Sequence, residues 1–79
     1  FLLLFRMKLF QAHTGYNDPN DPSGGFYEVH SVMFVCARNI KEARIKLKNL
    51  KDFKKYKMHI DAIKELSTVD GHKIKLEKI

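Results

Sequence analysis

The chain has 79 residues, 44% of them apolar, and a formal net charge of +6 from 15 Lys or Arg against 9 Asp or Glu. A chain this short makes one marginally stable domain that buries about 60% of its unfolded surface, with no room for a deep cleft inside one subunit. Its apolar content excludes a disordered chain, and its single cysteine, Cys36, excludes an internal disulfide and a Cys-x-x-Cys zinc site.

The first six residues, "FLLLFR", are too few to cross a bilayer, which takes about 20. They also lack the basic start and small-residue cleavage site of a signal peptide. "MKLF" at 7–10 looks like a natural start. The expectation is an upstream extension over 1–6 and a single α+β domain over 7–79, with no membrane partner.

Residues 7–16, "MKLFQAHTGY", read as a strand alternating around Leu9 and Phe10. "NDPNDPSGG", 17–25, is a loop, because two Asp-Pro steps disfavour helix and Gly24-Gly25 permits any backbone angle. It lacks the alternating carboxylates and closing glutamate of a calcium loop.

Residues 26–37, "FYEVHSVMFVCA", form the strongest strand. Tyr27, Val29, Ser31, Met33, Val35 and Ala37 share one face, and Phe26, Glu28, His30, Val32, Phe34 and Cys36 the other. Its second half is apolar on both faces, which predicts a central strand with Cys36 buried. A buried thiol without a partner suits a reducing cytosol, so the expected location is cytoplasmic.

A helix follows, with Asn39 as N-cap and Glu42 three residues on, as in a capping box. Ile40, Ala43, Leu47, Leu50 and Phe53 recur at helical spacing and should face the sheet. Lys41, Arg44, Lys48, Lys51 and Lys55 form the opposite stripe, and the helix should end between Lys54 and Lys57. Residues 58–68 and 72–79 read as two more strands. Asp70-Gly71 between them is the favoured pair for a type I′ turn. The order β-β-α-β-β predicts an α+β fold: a four-stranded antiparallel sheet with one helix packed on one face.

"VHSVMFVCARNIKEARIKL" and "MHIDAIKELSTVDGHKI" together resemble the small bacterial proteins grouped as domain of unknown function 1543. His30, Val32, Phe34 and Val35 fit the family's first stretch. His59, Ile60, Asp61 and Ala62 fit the second, and Val69, Asp70, Gly71 and Ile74 the third. Ser31 stands where the family tends to have Asp, Ala37 near a usual Gly, and His72 where Tyr is common. The resemblance covers roughly 28–75 and implies a fold and a bacterial source, but no activity. Members hold one or two copies of the unit. With one copy here, the resemblance suggests that a pair could form by dimerisation.

Three functional readings follow. The two-sided apolarity of 26–37 in so short a chain points to a non-enzymatic binding or assembly module, expected as a homodimer. Second, residues 40–57 hold eight Lys or Arg against Glu42 and Asp52, 8 − 2 = +6, the whole net charge. That patch would attract nucleic acid or another acidic partner, but no readout motif accompanies it. Third, His59 and Asp61, at i and i+2 on one strand, share a face. With His30 on a neighbouring strand they could bind a metal or act as an acid–base pair in an enzyme. No cofactor motif or metal-ligand spacing is present, so neither a cofactor nor a metal is the leading expectation. Ser31, Ser67 and Thr68 lack a nucleophile elbow, and Gly24-Gly25 precedes a strand rather than a helix. His72, at the hairpin, falls out of reach of His59 and Asp61.

Overall fold

The computed structural model describes residues 6–79. The expected extension over 1–6 lies, for residues 1–5, outside the described residues. Strand β1 (Lys8–Asn17) pairs antiparallel with β2 (Glu28–Ala37) on one side and with β3 (His59–Glu65) on the other. Helices α1 (Ile40–Lys48) and α2 (Lys51–Lys55) connect β2 to β3, and a short hairpin, β4 (Thr68–Val69) and β5 (His72–Lys73), follows. The protein is α+β, but it departs from the expected architecture in three ways.

First, the sheet has three strands in the order β2-β1-β3, not four. The β1–β3 ladder runs out where β1 begins: the Leu66 amide donates to Leu9 O at 2.8 Å, and the chain then turns away. The last strand therefore pairs only with β4, as a separate two-stranded sheet closed by Asp70 and Gly71 at φ 51° and 74°. Those are type I′ angles, and Val69 stands opposite His72 as that turn requires.

Second, β2 is an edge strand and β1 the central one. The apolar run Val32–Met33–Phe34–Val35 arises from a different cause than central placement. Its odd-numbered members meet the helix layer, and its even-numbered members are left uncovered. Cys36 lies on the uncovered side and is exposed, not buried.

Third, the helix is broken. Asn49 closes α1, and Leu50 takes an extended conformation (φ −67°, ψ 144°) before α2 starts. The break swings the chain so that Phe53 is buried while Leu50 is 39% exposed. At the start of α1, Asn39 Oδ1 accepts from the Glu42 amide at 2.8 Å. Glu42 reaches back to the Arg38 amide and its Nε rather than to the cap residue itself.

The helices cover one sheet face. Phe10, Ala12 and Thr14 of β1 are buried there, as are Ala37, Ala43, Leu47 and Phe53, and Phe10 packs with Ala37 and Ala43. Thr14, fully buried, shares a 2.8 Å hydrogen bond with the Ser31 hydroxyl. Tyr56 closes the far end by stacking on Tyr16, with ring centroids 4.8 Å apart. The 18–25 loop is organised by Asp21, whose Oδ1 accepts from the Ser23 amide, the Ser23 hydroxyl and the Gly25 amide at 2.7, 2.6 and 3.1 Å.

Asp21 and Glu42 are both held below the ordinary carboxylate range. The Ser23 hydroxyl is the main cause for Asp21, and the Arg38 guanidinium for Glu42. A carboxyl whose folded pKa is depressed stabilises the fold fully above its unfolded pKa, about 4, and the contribution vanishes as pH falls through the folded value. The urea midpoint is therefore expected to decline as pH drops below about 4, and the paired Asp21→Asn, Glu42→Gln variant should flatten that decline. Urea titrations from pH 7 to 2 measure both.

Candidate functional site on the uncovered sheet face

The face opposite the helices carries a polar end and an apolar end. Cross-strand pairing sets its rows. His30, Gly15 and His59 form one row, Val32, His13 and Ala62 the next, and Phe34, Gln11 and Lys64 the third, with Cys36 opposite Leu9 beyond it. At the apolar end Val32 is 49% and Phe34 57% exposed. Met33, Val35, Ile60 and Ile63 lie on the helix side and are half-buried.

At the polar end, His59 Nε2 lies 2.6 Å from Glu28 Oε1 and 3.1 Å from Asp61 Oδ1. His30 Nδ1 lies 3.5 Å from Asp61 Oδ2. The structure thus brings together all three candidate residues of the third reading, across β2 and β3, and adds Glu28. A shallow, open depression lined by His13, His30, Val32, Asp61 and Ala62 joins the cluster to the apolar rows.

Two local features build the cluster. The first is a β-bulge. His13 and Thr14 of β1 stand opposite Ala62 and Ile60, leaving Asp61 between them without a partner. Strict alternation would set Ile63 beside His59 and Asp61. The extra residue shifts the parity, so Ile60 and Ile63 both turn to the helices while His59, Asp61 and Ala62 turn outward. The second is Gly15, directly between His30 and His59. A Cβ there would run into Glu28 Oε1 and come within 3.0 Å of His59 Nε2. With only hydrogen above this backbone, side chains from the two outer strands meet over the central one.

Neither Glu28 nor Gly15 stands among the site residues expected from the sequence, although signals for both exist. Glu28 and His30 repeat at i, i+2 on β2 the spacing of His59 and Asp61 on β3. A lone glycine inside a strand pattern marks a close approach. Ser31, where the family resemblance favours Asp, faces the buried Thr14 hydroxyl on the other side of the sheet. That departure takes no carboxylate from the cluster. His72 sits on the separate hairpin, its Nδ1 2.7 Å from Asp70 O.

The basic residues occupy the opposite layer. Lys41, Arg44 and Lys48 are exposed on α1, and Lys51 and Lys55 on α2, so the break at Leu50 divides the stripe. Lys46 is drawn to Cys36 O at 2.7 Å and to Glu42 at 3.9 Å, and the Lys55 ammonium sits 5.3 Å from the Tyr56 ring centroid. No helix among the described residues is long and apolar enough to cross a membrane.

A family model described as Domain of Unknown Function (DUF1543) matches residues 25–76, 52 of the 79 residues. No curated protein and no solved structure gives a match.

Proposed function

The chain belongs to the DUF1543 family, and we propose that it is a non-enzymatic assembly module that pairs with a second copy of itself across the uncovered sheet face. The observation that carries this reading is the side-by-side exposure of Val32 and Phe34, 49% and 57%, on a face that no other element among the described residues covers. A sheet whose apolar residues lack a second layer is stabilised by acquiring one.

A standard interface takes about 800 Å² from each partner. A twofold pairing would stack the Phe34 row of one copy on that of the other. The exposed, unpaired Cys36 thiol suits a reducing compartment, in keeping with a cytoplasmic location.

Phe34→Lys tests the pairing. Losing one buried Phe side chain removes about 1.5–3 kcal/mol of transfer free energy per copy, before the cost of burying a charge. The dimer is therefore expected to weaken by at least about tenfold. Sedimentation equilibrium of wild type and variant measures this. A wild type that is monomeric at every concentration, or a Phe34→Lys dimer of unchanged strength, would refute the reading.

A further inference from the structure

We propose that Glu28, His59 and Asp61, with His30 bracing Asp61, form a binding site for one divalent first-row transition-metal ion. The inference does not depend on pairing, because all four residues come from one copy.

The donor geometry is the first support. One nitrogen and two carboxylate oxygens, from three residues, lie within 4.8 Å of one another. Metal–ligand bonds of about 2.0–2.2 Å place neighbouring tetrahedral ligands roughly 3.3 Å apart. The 2.6 and 3.1 Å separations from His59 Nε2 reach that spacing with small outward movements of exposed carboxylates. His59 offers the same nitrogen to both carboxylates. A cation between the three atoms serves all of them.

The charge pattern is the second support. Elsewhere the paired glutamates meet lysine or arginine: Glu42 with Arg38 and Lys46, and Glu65 with Lys8. Glu28 and Asp61 instead meet only histidine among the ion pairs of the described residues. In a chain of net charge +6, two carboxylates converge on histidine in the ion pairs of the described residues. Imidazole is a metal ligand as well as a weak base, and lysine is not.

The scaffold is the third support. The ligands stand on β2 and β3 across the central strand, and Gly15 keeps the floor between them clear. His30 Nδ1, 3.5 Å from the other oxygen of Asp61, is placed as the partner that orients a ligating carboxylate. An imidazole ligand beside the carboxylates suits Zn²⁺ over Ca²⁺ or Mg²⁺.

Calorimetric titration of the full chain with ZnCl₂ tests the site. Wild type is expected to take up one Zn²⁺ per chain, and excess Ca²⁺ should not displace it. Glu28→Gln and Asp61→Asn should each weaken uptake at least tenfold, and His72→Gln should leave it unchanged. These three residues are exposed, so the variants should fold. In the wild type alone, NMR signals of the His59 ring should shift at substoichiometric Zn²⁺ before those of His72. Absence of stoichiometric uptake, equal affinity in Glu28→Gln, loss of uptake in His72→Gln, or a His72 shift ahead of His59 would each overturn the proposal.

Discussion

Phe10→Ala is expected to lower the unfolding free energy by about 3–5 kcal/mol. Phe10 stands on the central strand, 3% exposed, and packs against Ala37, Ala43, Val35 and Ile63. Three of the six buried apolar residues among those described are alanines, whose short side chains cannot reach into the gap. A domain of this length has a total stability of about 4–12 kcal/mol, and Phe10→Ala therefore removes much or all of it. Urea unfolding followed by circular dichroism measures the loss. A shift of the midpoint below about 1 kcal/mol equivalent would mean that the core lies elsewhere.

Leu47→Ala is expected to cost about 2–5 kcal/mol. Leu47 is fully buried and anchors α1 to the sheet, together with Ala43 one turn earlier. Alanine is the better helix former, so a loss cannot come from helix propensity. Ile45, on the same helix and 53% exposed, is the control. Ile45→Ala should cost under about 1 kcal/mol, since only a partly buried side chain is removed. Equal losses at the two positions would show that α1 does not dock through Leu47.

Features with a purely local cause were legible in the sequence. Asn39 caps α1 because its side chain reaches the Glu42 amide, whatever the rest of the fold does. Asp70-Gly71 closes a two-residue turn because both positions need positive φ. The two faces of β2 followed from parity and sort as expected. Features set by long-range pairing were not legible. "VMFVCA" reads as central because apolarity on both faces ordinarily means burial on both, yet β2 lies at the edge. Leu50 keeps the helical spacing of Ala43 and Leu47, but the chain breaks there and buries Phe53 instead.

The polar cluster shows the same division. Simple alternation placed His59 and Asp61 on one face, and they do share it, although a bulge intervenes. Parity could not reveal that bulge. It becomes visible only when Ile60 and Ile63, three apart, are both found on the helix side. Glu28 joins His59 because β2 and β3 flank the same strand, a fact of strand order that no spacing encodes. Gly15 was the available hint, since a glycine amid "QAHTGY" has no turn to make.

The central claim, that a second copy covers the uncovered sheet face, is tested most directly at Cys36. This only thiol of the chain lies on that face beside Phe34 and is exposed in the single copy. Its alkylation rate can be followed by mass spectrometry as protein concentration rises. The rate is expected to fall several-fold as the wild type pairs, and to stay constant in Phe34→Lys. A wild-type rate that remains constant while sedimentation shows a dimer would place the interface elsewhere and contradict the account.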